Sequence, residues 1–139
     1  MNRLVLDTDI LTLFQAGNPA VLRRAQECSA GQLALTIITV EEELRGWYTK
    51  LRRAKKREQL ARVYQRLTDA IRFFSKLEIL SFPEAAIARY EQLRTSHRSI
   101  GKNDLRIAAI VLEDGDTLVT RNVSDFRPIP GLKIEDWSK

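Results

Sequence analysis

The chain has 139 residues, 44% of them hydrophobic, a size and composition expected of one folded domain over 1–139 and not of a disordered chain. No apolar run approaches the roughly 20 residues that span a bilayer, and the N-terminal segment lacks the pattern of a secretory signal. The formal net charge is +5, and Cys28 is the only cysteine, which excludes an internal disulfide and points to a reduced, cytoplasmic setting.

The first element predicted along the chain is a short buried strand, Leu4-Val5-Leu6, closed by Asp7. Asn18-Pro19 reads as an N-cap and a first-turn proline, opening a helix over about 20–28. Residues 33–39 are apolar and β-branched, a second strand. From Glu41 the pattern turns helical. Leu60, Tyr64, Leu67, Ile71 and Phe74 recur at helical spacing, so this region reads as a helical hairpin with its loop near 54–57. A third strand is expected over 77–80. Phe82-Pro83-Glu84 opens a helix to about Thr95, and 96–102 is a polar loop in which His97 reads as exposed. Asn103 caps a helix over 104–112, and a fourth strand follows at 117–120. A last strand is expected near 132–134. Strands alternating with helices imply a three-layer α/β/α fold around a mostly parallel sheet of about four or five strands.

The charge is unevenly placed. Between Arg45 and Arg66 there are nine Lys/Arg residues against one acid, Glu58. Such a stripe favours a polyanionic partner, although a solvated helix face explains it equally. The acids of interest lie elsewhere. In a parallel sheet the usable crevice lies beyond the carboxyl ends of the strands. Asp7 ends the first strand, Glu42 follows the second, Asp104 opens a helix, and Asn122 and Asp125 follow the fourth. Oxygen ligands from distant segments are thus expected at one sheet edge. Gathered carboxylates repel one another unless a cation neutralises them. Mg²⁺ suits such a set, with Mn²⁺ possible. No zinc-type Cys/His spacing and no glycine-rich phosphate loop competes for the chemistry.

Each acid also has a structural role open to it. Asp7 could cap the following helix. Thr39-Val40-Glu41-Glu42 fits a capping box with Glu42 at its third helical position. Asp104 in a first turn suits the helix dipole. Glu41 and Glu43 read as solvated neighbours. The functional reading rests on joint placement, since caps have no need to collect after successive strands.

These same residues carry a family resemblance. Residues 4–11, LVLDTDIL, resemble the opening of a PIN domain. Residues 36–46, TIITVEEELRG, resemble the family's second motif, an acid four residues before a glycine, which selects Glu42. Residues 100–109, IGKNDLRIAA, resemble the third motif and select Asp104. Residues 118–126 and the segment through Trp137 resemble its C-terminal end. The branch most similar is the VapC-type toxins of bacterial toxin–antitoxin pairs. That resemblance implies an Mg²⁺-dependent endoribonuclease acting on structured RNA. It also implies a homodimer restrained by a small VapB-type antitoxin. Many family members carry an acid where this chain has Asn122, which removes a charge that Asp125 could replace.

The resulting expectation is that Asp7, Glu42 and Asp104 hold Mg²⁺ and act in catalysis. Asn122 or Asp125 would complete the ligands, and Thr39 and Thr120 would orient neighbouring groups. Lys50, Arg52, Arg53, Lys55, Lys56 and Arg57 would steer the RNA backbone. Two other readings fit parts of the pattern. An aspartate-nucleophile phosphatase would use the Asp7-Thr8-Asp9 pattern, but Ile10-Leu11-Thr12 lacks the glycine turn that such enzymes need. A non-catalytic RNA- or partner-binding module would explain Asn122.

Overall fold

Five strands of three or four residues form the centre of the computed structural model, which describes residues 2–139. They are β1 (Leu4–Leu6), β2 (Leu33–Thr36), β3 (Glu78–Leu80), β4 (Thr117–Val119) and β5 (Lys133–Glu135). All neighbours pair in parallel, in the order β3-β2-β1-β4-β5. The expectation of a parallel sheet with four or five strands therefore resolves to five.

The three central strands β1, β2 and β4 are mostly apolar because both of their faces are covered, whereas the edge strands β3 and β5 carry charged residues. Val5, Ala34 and Leu118 point into one core, packed against α5 (Glu84–Ser96) and α6 (Lys102–Asp114). Leu4, Leu6, Leu35 and Val119 point into the other, with α1 (Thr8–Gln15), α2 (Pro19–Gln26) and α4 (Arg57–Phe74). Alternation along β1, β2 and β4 thus feeds two cores rather than one core and solvent. The long helix α3 (Ile37–Arg53) reaches both, with Ile38 in the first and Val40 in the second.

Element boundaries follow local capping chemistry. Asp7 is the N-cap of α1, its carboxylate accepting from the Ile10 N–H at 2.9 Å. Asn18 caps α2 through Oδ1, which accepts from the N–H groups of Ala20 and Val21. The stretch expected as a strand to residue 39 stops at Thr36. There the Thr36 hydroxyl accepts from Thr39 N at 3.3 Å and starts α3 three residues early. Thr39 is consequently not the cap, and Glu42 sits in the second helical turn with no capping-box role. The β-branched run Thr36-Ile37-Ile38-Thr39 favours a strand by propensity, and the hydroxyl cap overrides it. Gly101, not Asn103, is the N-cap of α6. A short α7 (Val123–Phe126), absent from the sequence expectations, follows β4 and seats buried Phe126.

The N-terminal end of the sheet is tied by ion pairs. Arg3 donates its backbone N–H to Asp116 Oδ1 at 2.8 Å and its Nε to Oδ2 at 3.2 Å. Its remaining guanidinium nitrogens face Asp114 at 3.4 Å and Glu78 at 4.0 Å.

Helix α6 ends at Gly115, which adopts φ +69° and donates its N–H to Leu112 O. That left-handed geometry disfavours any Cβ. A Cβ at this position would meet nothing within 4 Å, so the strain is confined to the backbone. Gly115→Ala is therefore expected to cost about 1 kcal/mol and to lower the melting temperature by about 3 °C. Thermal unfolding followed by circular dichroism checks this, and an unchanged midpoint contradicts it.

Candidate active site

The strand order reverses between β1 and β4, and a crevice opens there beyond their carboxyl ends. Helices α1 and α3 start directly after β1 and β2. Helix α6 runs back toward the start of β4, so its N-terminus also lies at this edge. Asp7, Glu42 and Asp104 are thereby brought to one end of the sheet from three separate segments.

Asp7 is held most firmly. Its backbone N–H donates to Val119 O at 3.0 Å, locking β1 to β4 at the crevice. Its carboxylate accepts from Ile10 N–H and from the Thr120 hydroxyl. Thr120 in turn accepts from Asn122 N–H at 3.0 Å, so the buried hydroxyl relays position from the β4 end to Asp7. Asp7 is only 5% exposed. Burial raises its pKa from 3.8 to about 6. The two hydrogen bonds oppose this rise, and the charges of Asp9 and Asp104 add to it.

Asp104 occupies the first turn of α6 and is half-buried. Burial raises its pKa, and Glu42, Asp125 and Asp9 push it further in the same direction. Glu42 is half-buried on α3 and accepts from the Thr8 hydroxyl at 3.1 Å. These mutual influences mark Asp7, Asp9, Glu42, Asp104 and Asp125 as one electrostatic cluster.

Asp9 was not among the expected site residues. It accepts from Asn122 Nδ2 at 3.3 Å and faces Arg121 Nε at 3.8 Å. Its signal lies in the Asp7-Thr8-Asp9 pattern, which in the sequence alone points only to helix capping or to a phosphatase-like site. Asn122 thus turns its amide nitrogen to a carboxylate of the cluster. Asp125 is exposed on α7. Thr39 is fully buried, and its hydroxyl has no hydrogen-bond partner. His97 is half-buried, not exposed, and with Asp104, Asp125 and Ser124 it lines a cleft of about 370 Å³.

The neighbouring glutamates diverge. Glu41 is exposed and pairs with Arg45 at 2.8 Å, as a solvated neighbour should. Glu43 is half-buried, and burial followed by the Glu42 charge raises its pKa. It lines a groove of about 700 Å³ with Phe14, Leu22, Trp47, Arg66 and Phe73.

The expected RNA-steering residues do not lie together at the carboxylates. Lys50 sits over the Trp47 ring at 4.6 Å. Lys50 and Arg53 line a cleft with Arg62, whereas Arg52 faces the side of α3 that carries Ile37 and Tyr48. Lys55, Lys56 and Arg57 are exposed in the α3–α4 connection. Eleven residues of helix separate Glu42 from Arg53. That places the hairpin tip about 16 Å along the axis from the cluster.

The sequence profile of the PIN domain matches residues 4–131. The chain belongs to the PIN domain family. Among curated relatives, the tRNA(fMet)-specific endonuclease VapC of Shigella flexneri is 28% identical over 142 residues, covering 99% of this chain and all of that protein. Ribonuclease VapC2 of Rickettsia felis is 41% identical over a shorter stretch of 71 residues, in which the chain spans about half that relative's length (53%) and 48% of this chain is matched. Among solved structures, DNA-bound VapBC from Salmonella typhimurium superposes with a TM-score of 0.80 at 25% identity, covering 99% of each chain. Among the described residues, no helix is long and apolar enough to cross a membrane.

The raised pKa of Asp7 has a consequence for stability. Above about pH 6 the folded state carries a buried charge that the unfolded chain holds in water. That penalty is fully present above the folded pKa, shrinks as the pH falls from about 6 to 3.8, and is gone below. A displacement of that size corresponds to at most about 3 kcal/mol. An amide keeps the oxygen that accepts from Ile10 N–H. Asp7→Asn is therefore expected to stabilise the protein by about 1–3 kcal/mol at pH 7.5 in EDTA. The gain should vanish near pH 3.5. Denaturant unfolding at the two pH values measures both, and a destabilised variant at pH 7.5 contradicts the argument.

Proposed function

We propose that this chain is a divalent-metal-dependent endoribonuclease, acting in the cytoplasm as the toxin of a VapBC-type toxin–antitoxin pair. The observation that carries the reading is the cluster of Asp7, Glu42 and Asp104, uncompensated by cations and partly withdrawn from water. Membership of the PIN family and the names of the full-length relatives support it.

The donor set is composed of oxygen atoms and is strongly anionic, which fits a hard cation such as Mg²⁺ or Mn²⁺. Among the described residues no three acidic, His or Cys side chains stand grouped so as to hold a metal ion, so the fit rests on the chemistry of the donors and on their shared sheet edge. The pKa values of Asp7 and Asp104 are raised first by burial and then by neighbouring acids, and a bound cation would offset both effects. Asp7, Glu42 and Asp104 would hold the ion, with Asp125 or the amide of Asn122 completing its ligands. When bound, the metal supplies Lewis-acid polarisation of a phosphodiester and acidifies a water. Asp7 cannot rotate away, because Val119, Ile10 and Thr120 fix it. Thr8 holds one Glu42 oxygen and leaves the second for another contact. Asp9 stays linked to Asn122 and Arg121 and keeps the β4–α7 connection against α1.

Structured RNA, with tRNA as the class to test first, is the substrate. The chain works as a homodimer restrained by a small cognate antitoxin. The apolar side chains of Phe14, Leu22, Trp47 and Phe73 offer a partner segment a groove to occupy. The basic α3–α4 hairpin acts at longer range, raising the encounter rate with a polyanion.

Cleavage of unfractionated tRNA by purified protein is expected with Mg²⁺ and to be lost in EDTA. Asp104→Ala, Asp7→Asn and Glu42→Gln should each lower the rate by at least about 100-fold. Unchanged activity in the Asp7 or Asp104 variant overturns the assignment. Expression of the wild-type chain without an antitoxin should arrest growth, and expression of Asp104→Ala should not.

A further inference from the structure

A phosphodiester is anionic, and so is the cluster that is to receive it. Beyond the proposed metal, which would meet only the reacting phosphodiester, the strand leading to these acids has to be held by cationic side chains that do not pair with them. The hairpin tip is too far away to do this, so the nearer surface matters.

Beside the Asp104 cleft lies a second one, of about 480 Å³, between α5 and α6. Arg94, Arg98 and Lys102 line it, with Glu91 as its one acid. Arg98 and Ile100 line both clefts, so the two are continuous. None of the three cations forms an ion pair among the described residues. Arg94 is nonetheless supported in its position. The Arg94 guanidinium lies over the Tyr90 ring at 5.7 Å, and Arg106 lies over the same ring at 5.0 Å. Arg106 is further held by Asn103 Oδ1 at 2.7 Å. Lys102 is the first residue of α6, two before Asp104. Unpaired guanidinium groups leading in a row to a carboxylate site are suited to successive phosphates of one strand.

We propose that the α5–α6 cleft is the RNA phosphate-backbone subsite, with Arg94, Arg98 and Lys102 gripping the strand that leads to Asp104. This rests on the ribonuclease reading and adds where the substrate is held. The residues position the strand and do not touch the reacting phosphate, so they act on binding more than on turnover.

The test compares Arg94→Gln/Arg98→Gln with a charge-matched control, Arg23→Gln/Arg72→Gln. The control arginines are exposed near the ends of α2 and α4, which lead into the starts of β2 and β3, at the opposite sheet edge. Two probes are read: steady-state cleavage of unfractionated tRNA with Mg²⁺, and anisotropy of a fluorescein-labelled mixed-sequence oligoribonucleotide in EDTA across KCl concentrations. The cleft pair should raise KM by about tenfold with kcat within about twofold. The slope of log affinity against log salt should fall by about 1.4, the value for two phosphate contacts on a single strand. Arg94→Lys/Arg98→Lys should restore most of the slope. Arg98→Gln alone should give about half of the change, which keeps the test valid if the double variant folds poorly by circular dichroism. Unchanged KM and slope overturn the proposal, as does an equal change in the control pair. Unchanged RNA parameters with loss of inhibition by the cognate antitoxin assign the cleft to a protein partner and overturn it too. If the wild type binds RNA through the cleft yet cleaves none, the ribonuclease reading fails while the subsite stands.

Discussion

The structure depends on holding like charges together in one place. Asp7 is buried at the end of a central strand, where its ionised form is unfavourable, and other acids worsen its position. A surface carboxylate in that situation would rotate into water. Asp7 cannot, because its own backbone N–H is part of the β1–β4 link and its oxygens are already bonded. The cluster is therefore a product of the parallel sheet. Strand ends are the most rigid positions in such a fold, and helix N-termini arrive beside them with partial positive charge that offsets some repulsion.

The two ends of the same sheet make the point by contrast. At the N-terminal end, Asp114, Asp116 and Glu78 gather around Arg3, which answers them with hydrogen bonds and ion pairs. Asp116 is almost fully buried there, yet both of its oxygens are satisfied. At the C-terminal end the one basic partner in the acid cluster, among the described residues, is Arg121, 3.8 Å from Asp9 and itself half exposed. Acids serving structure are neutralised by the chain. Acids left without such a partner are what the proposed cation would neutralise, and that asymmetry supports the proposal more than the number of acids does.

Much of this was legible in the sequence, and the failures have physical causes. Strand ends at Asp7 and Thr120 could be read because short apolar runs stop there abruptly. The α3 start could not, because Ile37-Ile38-Thr39 has strand propensity, which the Thr36 cap and the burial of Ile38 and Val40 on a helix override. That single cap decides whether Glu42 is a capping-box residue or a free carboxylate one turn further in. Asp9 escaped notice because its partners, Arg121 and Asn122, are 112 and 113 residues away, a proximity that only the β1–β4 pairing creates. The basic stripe was visible as composition, but composition carries no distance. Helical rise along α3 is what removes its tip from the site.

Distance also explains why two kinds of basic surface coexist. The hairpin cations are numerous and exposed, and Lys55, Lys56 and Arg57 are free to follow any polyanion. Such charges act over roughly a Debye length, about 8 Å at physiological salt, so they affect encounter and not the geometry of a bound phosphate. The α5–α6 cations are fewer, with Arg94 lying against Tyr90 and Lys102 standing at the start of α6. Moving them closer to the acids would form ion pairs like those of Arg3 and silence both partners. Moving them away would, in the proposed reading, leave the strand beside the acids without cationic side chains to hold it. Their place in the adjoining cleft, sharing Arg98 and Ile100 with the acid cleft, satisfies both demands.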